Sequence, residues 1–253
     1  MNNSQSKPME IAAPSFEHIV EAYNLSILTG PGDWSLEGGD LALTKDGDPI
    51  TGDLAYNGLF RFVQTWRYNT AHLHYLFDTM TEMIAWRTSL DEKANAIGKT
   101  SSEKFLDFAE PLGVILEEQR VATFGATTYS GCLILVLSGA LLRLKDDLDA
   151  EDEWNTTGPF FNSHSVGAIV VAAANGFRHA DEWAKTHPPN KRQRLSQDVL
   201  NGALAARPIS DETSPGRCVE VLQLLSSGGF EGLASNVFAY AHNLALKIRG
   251  RAA

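Results

Sequence analysis

The sequence has only two cysteines, Cys132 and Cys218, among its 253 residues. Two thiols give neither a disulfide framework nor a C-x-x-C half-site for a metal. Positive charge is also scarce: 21 Lys and Arg stand against 31 Asp and Glu, a formal net charge of −10. Coating nucleic acid by charge alone needs clustered cations that displace counterions from phosphates, so that class of function is excluded. The cations that do cluster are Lys191, Arg192 and Arg194, and later Lys247, Arg249 and Arg251; each group reads as solvated surface. Also missing are the nucleophile elbow G-x-S-x-G, the phosphate-binding G-x-x-x-x-G-K-[ST] loop, a G-x-G-x-x-G after a strand, and H-E-x-x-H. No internal repeat is evident.

Long apolar runs are equally few. The most apolar segment, GCLILVLSGALLRL, spans residues 131–144, short of the roughly 20 residues that cross a bilayer. It reads as a buried helix, with Cys132 an inert core residue and no membrane partner. Residues 1–14 lack the apolar core of a secretion signal and read as a loose arm, so a cytoplasmic location is expected.

What the chain does have is helical periodicity. Ser15 precedes Phe16, Ile19, Val20 and Tyr23, a capped short helix. Residues 30–58 switch to GPGDW, LEGGD and KDGDP around short alternating runs, which predicts a small β-hairpin or ordered loop; Asp46, Gly47 and Asp48 read as a turn, not a calcium loop. From Leu59 an apolar stripe runs through Val63, Trp66, Leu73, Phe77, Met80 and Ile84, with Arg61 and Arg67 off it. His72 and His74, two residues apart, fall on different faces and are not expected to share a metal. A polar connection, DEKANAIGKTSSEK, is expected to separate this helix from a second amphipathic one over 105–119, where Pro111 sets a kink or break. A third helix is predicted over Val121 to Leu148, ending in an acidic run, Asp146 to Glu153, that reads as a solvated linker.

A fourth helix is expected to begin after Asn162 or Ser163 and to run to Thr186, before Pro188 and Pro189 end it. Three shorter helical patterns follow: Leu195 to Leu204, Val219 to Leu225, and Phe230 to Ile248. The economical reading is all-α: a helical bundle of about six to eight helices, one domain over 1–253, with a hairpin or loop insertion at 30–58 and residues 188–253 packed on the same core.

The fourth helix carries AAANGFRHADEW, residues 172–183. At about 100° per residue, Val166, Ile169, Val170, Ala173 and Phe177 share one apolar stripe. Asn175, His179 and Glu182 lie near the opposite pole with Ala168 and Ala172. That small, polar face would admit another backbone. Asn175 and His179, at i and i+4, point the same way and can address one phosphate or each other. For Arg178 a surface ion pair to Asp181 or Glu182, worth about 0.3 to 0.5 kcal/mol, is the structural alternative, and for His179 a satisfied structural imidazole. His164 lies about 22 Å from His179 along a continuous helix, too far to share a metal.

With Asn175 four residues before His179 on one of several long helices, the chain resembles the HEPN superfamily of bacterial and defence-related helical proteins. That signature is an Arg, often followed by a polar residue, then four to six residues and a His. ANGFRH places Ala174 at the arginine position, Asn175 at the polar position and His179 at the histidine position, so the arginine is missing. GFRHADEW is also similar to a (Y/F)-(K/R)-H-x-(D/E)-E-W pattern of bacterial helical proteins. The resemblance extends loosely over Leu59 to Ile248. It implies a metal-independent endoribonuclease with no cofactor, acting in a toxin-antitoxin, stress or phage-defence setting. Attack of an RNA 2′-hydroxyl on its own phosphate would be assisted by His179 as acid/base, Arg178 as electrostatic stabiliser and Asn175 as orienter. The resemblance also implies a cleft built by two subunits, and two copies of the face around Ala168, Ala172 and Asn175 would form such an isologous homodimer interface. A degenerate relative that binds RNA with weakened or lost catalysis fits the missing arginine. The acidic balance and that same gap also suit a non-catalytic antitoxin or immunity protein that binds a basic partner protein.

Overall fold

The computed structural model describes residues 13–30, 36–37, 40–44, 47, 49, 52–100, 105–185, 188–204 and 217–252. The expected loose arm, along with Asp46 and Asp48 of the expected turn, lies almost wholly outside the described residues. Among those described, eight α-helices run in the order α1 (Phe16–Ala22), α2 (Leu54–Thr100), α3 (Phe105–Asp147), α4 (Val166–Arg178), α5 (Ala180–Lys185), α6 (Lys191–Ala203), α7 (Cys218–Ser226) and α8 (Phe230–Ala252). The all-α bundle expected from periodicity is what forms.

The first helix starts as its sequence dictates, with the Ser15 hydroxyl accepting from His18 N–H at 3.0 Å. A 3-10 turn, Ser26–Thr29, follows and buries Ile27 and Leu28. In the expected insertion, strands β1 (Leu36–Glu37) and β2 (Asp40–Leu41) pair antiparallel, and Leu43 bridges Pro49. The insertion ends earlier than expected, because α2 begins at Leu54. Asp53 explains this: its Oδ1 accepts from Ala55 and Tyr56 N–H at 3.0 and 3.1 Å and caps the helix.

Two boundaries differ more sharply. The polar connection does not interrupt α2, which continues to Thr100, and the second and third expected helices form one, α3, with Pro111 inside it. Charged and alanine residues favour a helix regardless of burial, and Pro111, in the second turn of α3, removes one backbone bond near the end of a 43-residue helix. The result is an antiparallel hairpin of two helices, each about 65–70 Å long. Arg61 is not on a solvated flank either. It is buried and donates from Nε to Asp147 Oδ2 at 2.8 Å, joining the start of α2 to the end of α3.

The remaining helices close the core. An aromatic cluster holds α8 on α2: Phe238 stacks on Tyr23 with centroids 4.3 Å apart and meets Trp66 at 4.9 Å, while Phe230 contacts Trp66, His74 and Phe77. Residues 188–252, where described, do pack on the common core through Leu200, Val221, Leu222, Leu233, Phe238 and Leu244. Within α3, Pro111–Asp147 is long and apolar enough by length and composition to cross a membrane, longer than the 131–144 run suggests; it packs here on α2, α4 and α7.

The segment before α4 is a hairpin that the sequence pattern did not flag. Strands β3 (Phe160–Phe161) and β4 (His164–Ser165) pair antiparallel across Asn162 and Ser163, whose φ values of 47° and 71° are those of a type I′ turn. Asn162 and Ser163 are therefore turn residues and not the helix cap. Ser165 is the cap: fully buried, it accepts from Ala168 N–H at 3.2 Å and donates to the Trp154 carbonyl at 3.0 Å. Tyr240 donates to that same carbonyl at 2.8 Å, and burial raises its phenol pKa. The acidic linker is likewise partly internal. Glu153 is buried and accepts from Arg251 at 2.8 Å, a bond that holds its carboxyl below the usual range.

Replacing Ser165 by Ala removes the cap and one partner of a shared carbonyl; a loss of about 1–2 kcal/mol is expected in chemical denaturation. His242 gives a pH prediction. Half-buried, with Nε2 3.1 Å from Ser26 Oγ, it has its pKa pushed below the ordinary 6.5 by burial. The unfolded chain then takes up this proton first, so stability falls as the pH drops through about 6.5 toward the folded-state value. Denaturation midpoints between pH 7.5 and 5 should fall less steeply in His242→Gln.

Candidate functional site

Gly131 on α3 and Phe177 on α4 decide where the conspicuous motif sits. The Phe177 ring occupies the space that a side chain on Gly131 would fill, so α4 packs on α3 through a ring seated directly on the glycine backbone. Around this contact α4 is enclosed on more sides than its apolar stripe requires. It touches α3, α6, α7 and α8, and Ala172, Ala173, Ala174 and Gly176 are all buried with Ile169 and Val170. The small residues do admit other backbones, as expected, but these are the chain's own helices. Cys218 Sγ, for example, lies 3.9 Å from the Ala173 carbonyl on α4.

The rod expected to reach Thr186 is interrupted. Helix α4 ends at Arg178, His179 has φ −112° and ψ 19°, and α5 resumes at Ala180. The hydrogen bonding bends without being lost: His179 N–H donates to the Asn175 carbonyl at 3.1 Å, and Trp183 N–H donates to the His179 carbonyl at 2.8 Å. Helix α5 is then tied to α6, where Gln193 Nε2 donates to the Trp183 carbonyl at 3.3 Å. Asn190 and Gln193 form the capping box of α6, so its first turn carries Lys191, Arg192 and Arg194 on the outside.

Asn175 is half-buried, while Arg178 and His179 are exposed at the end of α4. His179 donates from Nδ1 to Glu182 Oε2 at 3.1 Å. An ionised carboxylate only accepts, so the proton sits on Nδ1, and Nε2 is the ring atom left for an outside group. The three residues thus share one turn, as their spacing predicted, at the exposed end of α4. Ala174 has no solvent exposure. The position at which the family pattern carries its arginine therefore faces the core, not the surface that bears His179.

Two clefts open elsewhere. One, of about 460 Å³, lies where the start of α2 meets the end of α8, beside Asp53, Ile248, Arg249 and Arg251. The other, of about 310 Å³, is lined by Arg87, Asp91, Thr127, Glu220 and Gln223 between α2, α3 and α7. Neither contains Asn175, Arg178 or His179. The C-terminal cations are exposed, as expected, and also make bonds within the chain: Arg249 Nε donates to Asp53 at 2.8 Å, Arg251 pairs with Glu153, and Lys247 donates to the Thr156 carbonyl at 3.1 Å. His164, expected to lie far from His179, packs against Gly202 at the β4 end of α4. His74, the other histidine weighed as a ligand, lies 2.9 Å from Asp78 one helical turn on. Among the described residues, no group of three or more His, Cys, Asp or Glu is placed to hold a metal ion.

No family model, curated protein or solved structure matches the chain.

A methyl at position 131 tests how firmly the Gly131 contact holds the motif. Gly131→Ala must move the Phe177 ring, so we expect a loss of about 1–3 kcal/mol and altered exchange at Arg178 and His179 amides in hydrogen–deuterium exchange. Gly139→Ala, with open space around its site, is the control: it should leave that exchange unchanged and raise stability by about 0.5–1 kcal/mol through helix propensity.

Proposed function

We propose that the protein is a non-catalytic interaction module, of the kind an antitoxin or immunity protein provides, that binds a basic partner protein. The observation that carries this reading is the burial of Ala174. A HEPN-like active site needs arginine and histidine on one accessible surface, and here the arginine position lies inside the packed contact of α4 with its neighbours. Rebuilding it would place a guanidinium at a position with no solvent exposure, at a desolvation cost of several kcal/mol. The break at His179 also argues against a preorganised cleft, since positioned donors are what electrostatic catalysis requires. The partner's chemistry follows from charge. The net balance is −10, and Asp146, Asp149, Glu151 and Asp152 are exposed together around the end of α3, an acidic surface that steers cationic partners.

One observation favours a second reading, that of a degenerate RNA-binding relative. Asn175, Arg178 and His179 do share an exposed turn, with His179 Nε2 open to an incoming group. RNA binding separates the two. The purified protein should neither retard nor cleave labelled single-stranded RNA, whereas retardation that His179→Ala eliminates would favour the second reading; Asp146→Lys with Asp149→Lys and Asp152→Lys should abolish salt-sensitive capture of a partner of high isoelectric point. RNA cleavage by the wild type that His179→Ala eliminates would overturn the interaction reading and restore the nuclease.

A further inference from the structure

The outer face of α3 is apolar, exposed and complementary to itself. Measured from Val114 at about 100° per residue, Val121, Phe124, Thr128, Cys132, Leu135, Val136 and Gly139 all fall within about 120° of arc. This arc is turned away from the buried one that holds Ala122, Ala126, Leu133, Leu137 and Leu141. Phe124 is 73% exposed, Val114 56%, Val121 52% and Val136 41%. No charged residue interrupts the face between Val121 and Gly139, a length of about 27 Å. Charges return at its two ends with opposite sign, Glu117 before it and Arg143 after it. Cys132, read from sequence as core, is half-exposed on this face, whereas Cys218 is fully buried.

We propose that this face pairs with the same face of a second copy of the chain, antiparallel about a two-fold axis passing near Ser130. The pairing is set by positions whose numbers sum to 260. Glu117, which pairs with Arg120 in its own chain, then comes level with Arg143 of the second copy, itself 4.0 Å from its own Asp147, so opposite charges meet at both ends. Val121 faces Gly139, where open space would receive its side chain. A two-fold axis keeps each edge of the face on its own side, so Phe124 lies beside Leu135 of the second copy, and Thr128 faces Cys132 near the centre. An isologous contact must satisfy itself twice, and this register does so in both charge and size.

Area gives the strength. A helix face about 39 Å long and about 10–12 Å wide offers roughly 400–450 Å² from α3 alone. Stable interfaces bury about 800 Å² per partner. The hairpin register, set by Arg61 against Asp147 and Met83 against Gly125, places the exposed Tyr68 and Tyr75 of α2 level with residues 140 and 133. They are 66% and 64% exposed and extend the surface. The sum sits at the low end of the stable range, so the dimer dissociates on dilution. A lipid surface suits this face less well. Helices that lie on membranes carry Lys and Arg along their polar edge, while the first edge of this face carries Glu117 and Glu118 on a protein of charge −10.

The test is light scattering with size-exclusion chromatography on the full chain from about 1 to 200 μM. A concentration-dependent dimer is expected; Phe124→Glu, a change at an exposed position, should leave a folded monomer by circular dichroism. Glu117→Arg and Arg143→Glu should each weaken the dimer about tenfold or more, and the double variant should recover it. A short bis-maleimide should join two chains through Cys132, since burial shields Cys218 and raises its thiol pKa. Three results would overturn the proposal: a wild type monomeric throughout the range, a dimer that survives Phe124→Glu without linkage at Cys132, or a monomer that sediments with phosphatidylglycerol vesicles unless Phe124 is replaced. None of these readouts depends on RNA or on a basic partner, so they fail independently of the proposed function.

Discussion

Everything in the lower half of the molecule depends on the close approach of α4 to its neighbours. An apolar helix flanked by small residues is cheap to enclose completely, because Ala and Gly lose little side-chain entropy and let backbones come within direct contact. The Phe177 ring against Gly131 fixes one end of α4, and the other end is fixed by the Trp154 carbonyl, which receives both Ser165 and Tyr240. Those two anchors leave the start of α4 deeply buried and its end, at Arg178 and His179, emerging at the surface.

Charge is used here as internal fastening more than as surface decoration. Asp53 caps α2 and receives Arg249 from α8; Glu153 receives Arg251; Arg61 joins Asp147 across the base of the hairpin. Ion pairs of this sort do not guarantee net stability, since desolvation offsets much of the attraction of the buried Arg61–Asp147 pair and solvent screens the half-exposed Arg249 and Arg251. Their effect is specificity: they fix where the ends of α2, α3 and α8 meet. The long hairpin, by contrast, is held largely by apolar packing on one side, and its other side is where the chain has most left to bury.

Several features were legible in the sequence because a local pattern determines them. The stripe through Leu59, Val63, Trp66 and Leu73 and the Ser15 cap each act within a few residues, and each forms where the pattern puts it. The hairpin at Asn162 was missed because a two-residue turn between two-residue strands has no alternation to detect. The joined α2 and α3 ends were missed because polarity was taken for a break, when Ala, Lys and Glu are helix formers whether or not they are buried.

By itself, then, the sequence determined that the chain is a helical bundle, which residues line each core stripe, and that Asn175, Arg178 and His179 share one turn. Tertiary structure alone decided what those facts mean. Angle on a helix says which residues lie together; it does not say how many neighbours surround the helix. Ala172 and Ala174 could have faced water, a partner or the core, and only the arrival of α6, α7 and α8 around α4 made them interior. Cys132 and Phe124 had the same ambiguity with the opposite outcome, because the helices that cover the inner side of α3 leave its outer side open.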